Sequence, residues 1–105
     1  LSDGNQGALA AAEALVETFA DSWRLNEHLL ALGGVYETFA REYGRRYPPY
    51  RSQFDAEGVW GRWIAAARQA YRRVALADGD PAKLEGQARL QALDAYVLRV
   101  EGLGR

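Results

Sequence analysis

The chain contains no cysteine and no methionine, only three prolines and a single histidine in 105 residues. Without cysteine there can be no disulfide framework and no thiolate metal site, and cysteine usage says nothing of the redox compartment. Zinc held by His and Cys ligands is thereby excluded. A di-iron centre would need Glu-x-x-His pairs, and the sequence has none. His28 stands between Glu27 and Leu29 near a helix end, where a surface or structural role is expected of it. Serine is also scarce. Ser2, Ser22 and Ser52 have no recognisable base and orienting group around them, so nucleophilic hydrolysis finds no setting. No glycine-rich run is followed by the Lys and Ser or Thr of a phosphate cradle. Asp78 and Asp80 could open a calcium loop, but Arg89 falls where that loop needs its bidentate Glu. Apolar runs are short, the longest candidates being of the size of Leu29 to Leu32, far below the roughly 18 residues of a membrane span. The expectation is a protein that is not an enzyme, with no metal, no cofactor and no membrane span. A chain that starts at Leu1 and lacks Met reads as a fragment, a trimmed chain or a mature chain that has lost a signal segment.

What is present points to helix. Ala occurs nineteen times and Leu thirteen, while Val, Ile and Thr together supply nine residues. Apolar residues at 49 % and charged residues at 26 % are the balance of a folded globular chain, and the length allows one domain, residues 1–105. Asp3 or Asn5 caps an expected long first helix with Leu9, Ala12, Val16, Phe19, Trp23 and Leu30 on one face. A second row, Leu15, Leu25, Leu29 and Leu32, places the centre of the core around residues 23 to 32. Gly33-Gly34 is expected to end this helix, and a short second one carries Tyr36, Phe39, Tyr43 and Tyr47. Pro48-Pro49 makes a rigid turn to about Ser52. Ser52 and Asp55 then start a third helix with Trp60, Ile64, Ala67, Tyr71 and Val74 on its buried face, ending near Ala77. Asp78-Gly79-Asp80-Pro81 is a stop-and-start signal, after which Leu84, Ala88, Leu90, Leu93, Val97 and Val100 line a fourth helix. The predicted fold is all-α, a small antiparallel helical bundle of about four helices.

Charge is unevenly spread. Residues 1 to 40 hold Arg24 against six acids, a net −5; residues 41 to 73 hold eight arginines against three acids, a net +5. Either the acidic first helix lies along the basic third helix, or the basic stretch meets an acidic partner. Glu13, Glu17 and Asp21 recur every four residues as a solvated helix face. Aromatic rings alternate with the arginines between Tyr43 and Trp63, as a base-stacking groove would need and as a core would also need. An isoelectric point near 5.8 argues against a phosphate-binding footprint. The segment Tyr47-Pro48-Pro49-Tyr50 presents two amphipathic rings on a rigid turn. Of Trp60 and Trp63, three apart, one should be core and the other at the surface or in a partner. The predicted partner-binding surface is Arg45, Arg46, Tyr47, Tyr50, Arg51, Trp60 and Trp63, the rings supplying area and the guanidinium groups orientation.

The stretch from His28 to Trp63, with His28-Leu29-Leu30-x-Leu32, then Phe39, then Tyr47-Pro48-Pro49-Tyr50 and a Trp about a dozen residues on, resembles the TrbJ-like minor pilus components of conjugative type IV secretion systems. Gly86-Gln87-Ala88-Arg89-Leu90-Gln91-Ala92-Leu93 is similar to a Gly-x-x-Gln-Ala-Leu stretch in the next helix of that family. Here Phe39 lies eight residues before Tyr47, a wider spacing than the family's, and the long Gln-rich final helix is missing. The resemblance covers about two thirds of the chain. It implies a non-enzymatic, mostly helical, exported protein, periplasmic or extracellular, that assembles with other subunits or with itself. Without it, a cytoplasmic location is expected. Two other functions fit the charge pattern: a nucleic-acid-associated regulator or accessory protein using the Arg-rich segment 41–73, and an inhibitor or immunity-type partner presenting the acidic first helix.

Overall fold

The computed structural model describes residues 3–22, 24–47 and 58–103, with side chains from residue 6 onward. Four helices and, among the described residues, no strand make up the chain: α1 (Asp3–Thr18), α2 (Leu25–Arg46), α3 (Val59–Ala75) and α4 (Lys83–Leu103). This is the all-α antiparallel bundle predicted. The helices α2, α3 and α4 pack on one another, α1 packs on α2, and the whole measures 45 × 29 × 16 Å. So flat an arrangement leaves the outer sides of α1 and α4 without a neighbouring helix among the described residues. The proline turn, the helix start at Ser52 and Asp55, and Trp23 lie outside the described residues.

Helix α3 follows its predicted stripe. Trp60, Ile64, Ala67, Tyr71 and Val74 recur at the 3- and 4-residue spacing of one helical face and all are buried. Trp60, Ile64, Ala67 and Tyr71 form one cluster with Ala40 of α2 and Leu93, Val97 and Val100 of α4, so the core centres there. Leu29 and Leu32 are buried as well, but the segment predicted as the centre lies toward one end of the bundle.

Two predicted boundaries are overturned. The long first helix breaks between Thr18 and Leu25, where the Ser22 hydroxyl accepts a hydrogen bond from the Arg24 N–H at 3.1 Å. The Ser22 N–H donates to Phe19 O at 2.9 Å and the Leu25 N–H to Ser22 O at 3.1 Å, tight turns that replace the helical ladder. Helix α2 then runs straight through Gly33-Gly34. Gly33 does not supply left-handed backbone; it lets the Tyr71 ring lie against the helix, since a Cβ there would stand 2.5 Å from that ring. Left-handed backbone occurs instead at Gly58 (φ 72°), before α3, and at Gly79 (φ 82°).

The predicted stop-and-start signal at Asp78 to Pro81 does separate two helices, but α3 already ends at Ala75 and α4 begins at Lys83, so Pro81 lies in the turn before the helix and not in its first turn. Gly79 turns the chain, and Asp80 Oδ1 accepts the Ala82 N–H at 2.8 Å before α4 begins. Asp80 Oδ2 also accepts a bond from the Asn26 amide at 2.8 Å, tying the start of α2 to this turn. The two bonds favour the ionised carboxylate, so its pKa lies below the usual Asp value.

Helix α4 departs from its predicted face. Leu93, Val97 and Val100 are buried and Leu90 is half-buried, but Leu84 and Ala88 point to solvent, Leu84 being 75 % exposed. Both stand on the side of the helix opposite Gly86 and Leu93. Gly86 is what brings α4 close to α3: a Cβ there would lie 2.8 Å from the Ala75 backbone nitrogen.

Candidate interaction surface

The last two turns of α2 place Arg41, Glu42, Gly44 and Arg45 beside the C-terminal half of α4, while Arg46 and the capping residue Tyr47 end the helix. Tyr43 and Tyr47, four apart on one helix face, bring their rings to 4.8 Å, and Tyr47 remains 50 % exposed. The Arg41 guanidinium lies 4.1 Å above the Tyr96 ring and donates from Nε to Glu37 Oε2 at 2.7 Å. Tyr96 is held from below by Trp60, whose indole N–H donates to the phenol oxygen at 3.2 Å. Gly44 makes room for that hydroxyl, which a Cβ would meet at 2.9 Å. Between α2 and α4 this leaves an open cleft of about 460 Å³, with Val100, Leu103 and Tyr96 as apolar walls and Thr38, Arg41, Glu42 and Arg45 as its polar lining.

The predicted site residues do not share one surface. Arg45 and Arg46 are exposed and, among the described residues, make no ion pair. Tyr47 stands beside them. Trp60 is 7 % exposed and belongs to the core, where it supports the cleft through Tyr96 and cannot itself meet a partner. Trp63 is half-buried between Phe39 (4.7 Å, edge-on) and Tyr36 (5.8 Å, stacked). It opens onto a second cleft of about 470 Å³ with Leu9 and Glu13 of α1 and Arg62 of α3. The pair therefore divides into one core and one lip residue. Tyr50 and Arg51 lie outside the described residues. Arg41, Tyr96 and Leu103 went unnoticed in the sequence; the only signal for them was the aromatic residue at position 96 on an otherwise aliphatic helix.

The acidic first helix does not neutralise the basic third one. Among the described residues no ion pair joins α1 to α3; the pairs are Arg24–Glu27, Arg41–Glu37, Arg68–Asp94, Lys83–Asp78 and Arg89–Glu85. Arg62, Arg72 and Arg73 stay exposed on the outer side of α3. A partly buried polar contact lies between α2 and α3, where the Tyr71 hydroxyl donates to Glu37 Oε1 at 3.0 Å. Burial and the neighbouring Glu37 charge push the Tyr71 pKa up to about 12.

Among the described residues no group of three or more His, Asp or Glu is placed to hold a metal ion, and no helix is long and apolar enough to cross a membrane. His28 is half-buried with its ring 5.3 Å from Phe19. What the arrangement offers is contact chemistry: an exposed ring, guanidinium groups without an ion pair among the described residues, and a cleft with apolar walls. No family model, curated protein or solved structure matches the chain.

Proposed function

We propose that the chain is a non-enzymatic protein-interaction module that meets its partner through the C-terminal end of α2. The observation that carries this reading is exposed Tyr47 next to exposed Arg45 and Arg46, which make no ion pair among the described residues, with Arg45 also lining the cleft walled by Val100 and Leu103. Such a surface suits a partner segment with an apolar anchor flanked by carboxylates, the anchor filling the cleft and the acids pairing with the rim. In its finer form the module is a minor pilus or adhesion component of a conjugation apparatus, exported to the periplasm or cell surface; the aromatic and Pro-Pro pattern from Phe39 to Trp63 supports that form. Arg45→Glu with Arg46→Glu should abolish capture of subunits of that apparatus from the native host while thermal unfolding stays as in the parent. Capture that survives both reversals and Tyr47→Ala removes the reading.

A second reading is favoured by Arg62, Arg72 and Arg73, exposed along α3 without ion pairs among the described residues. In it these guanidinium groups contact nucleic-acid phosphates. Phosphate contacts impose a steep fall of affinity with salt, so a salt titration on duplex and single-stranded probes separates the two. Absent or salt-insensitive binding eliminates it.

A further inference from the structure

Helix α4 carries two apolar stripes, and the fold uses one. Gly86, Leu93, Val97 and Val100 face the core. On the opposite side stand Leu84, Ala88, Gln91, Ala95, Leu98 and Gly102, separated by alternating steps of four and three residues. The whole stripe is open to water: Leu84 is 75 % and Leu98 69 % exposed, and Ala88, Gln91, Ala95 and Gly102 are exposed too. Positions at steps of four and three over five turns share one helical face, and a face that carries Leu84, Ala88, Ala95 and Leu98 can serve as the seam of a helix pair. A Cβ on Gly102 would meet nothing within 4 Å, so the chain's own packing does not require a glycine there.

We propose that this outer stripe is the seam of a homodimer in which α4 pairs antiparallel with α4 of a second copy. The proposal is independent of the α2 surface described above. Its occupant follows from self-complementarity about a two-fold axis opposite the middle of the helix. Antiparallel pairing sets Leu84 against Gly102, Leu98 against Ala88, and Gln91 against Ala95, so every layer joins a larger side chain to a small one or none. Parallel pairing would instead stack Leu on Leu and Gly on Gly, leaving gaps between bulges. The flank charges agree. Glu85 and Arg99 lie on the same edge of the stripe near opposite ends, and two-fold pairing brings each Glu85 to the Arg99 of the other copy. Among the described residues Arg99 has no ion pair of its own, while Glu85 accepts from Arg89 at 2.8 Å and keeps an oxygen for a second donor. On the other edge the two Asp94 carboxylates approach each other, and each is already held by Arg68 of its own chain, at 3.0 and 3.1 Å.

The test is sedimentation equilibrium of the whole chain across the micromolar range, with three sets of variants whose positions are all exposed. The parent is expected to dimerise. Ala88→Glu should weaken association by about tenfold or more, because it sets a desolvated charge against Leu98 of the other copy. Arg99→Glu should weaken it, and Glu85→Arg together with Arg99→Glu should restore it. Orientation is read from cysteines placed in this cysteine-free chain: a mixture of Ala88→Cys and Leu98→Cys proteins should form the mixed disulfide, whereas neither alone should link to itself. A monomer at every concentration overturns the proposal. So does a dimer indifferent to Ala88→Glu, or one in which the Ala88→Cys protein links to itself, which would mean parallel pairing.

Discussion

Helices α1 and α3 are nearly equal in length, 16 and 17 residues, yet they are helical for different reasons. In α3 seven residues are buried, including two aromatic rings, and the helix is defined by what it packs against. In α1 only Ala12 is buried among the described side chains, and Leu15 remains 40 % exposed, as does Phe19 just past the helix end at 41 %. Its alanines make it helical by intrinsic preference, and among the described helices it packs on α2. The comparison teaches that stability resides in α2, α3 and α4, while α1 and the outer faces of the sandwich are surface available for contact.

The largest expected break in that symmetry comes from two phenylalanines. Phe39→Ala, at a site 1 % exposed, should cost about 3–5 kcal/mol in urea unfolding. Phe19→Ala should stay under about 1 kcal/mol. Next come two glycines. Gly33→Ala forces a methyl into the Tyr71 ring and should cost about 1–3 kcal/mol. Gly7→Ala, in α1 with open space around it, should instead stabilise by about 0.5–1 kcal/mol. Differential scanning calorimetry reads both, and equal signs would contradict the contrast.

A smaller effect depends on pH. The Tyr71 pKa is about 12 in the folded chain against 10.0 for the free group, so the unfolded chain gives up its proton first as pH rises. That contribution to stability is whole below pH 10 and is lost between 10 and 12. Tyr71→Phe should cost about 1 kcal/mol at neutral pH through the bond to Glu37 and should flatten the decline above pH 10. The smallest effect is Arg68→Ala, which removes an exposed pair with Asp94 and should change unfolding by less than about 1 kcal/mol.

Much of this was legible in the sequence, and the failures have physical causes. The α3 stripe and the Asp78-Gly79-Asp80-Pro81 turn were readable because local chemistry and tertiary packing agree there. Gly33-Gly34 was misread because a glycine needed for close approach looks the same in sequence as one needed for left-handed backbone; only the Tyr71 ring tells them apart. The break at Ser22 depends on one hydroxyl competing with the helical ladder. On α4, residues at two opposed stripes were merged into one face, so Leu84 and Ala88 were placed in the core. The division of Trp60 from Trp63 was visible from their spacing. The cleft was not, because the Arg41 guanidinium and the Tyr96 ring meet only after α2 and α4 have packed.

The account stands most directly on what touches residue 47. A photoreactive amino acid should replace Tyr47 in the native host, with a second strain carrying it at Gln69 on the outer side of α3. The account predicts a discrete protein adduct at position 47, lost with Arg45→Glu and Arg46→Glu, and little at position 69. Nucleic-acid adducts at 69 with none at 47 would contradict it.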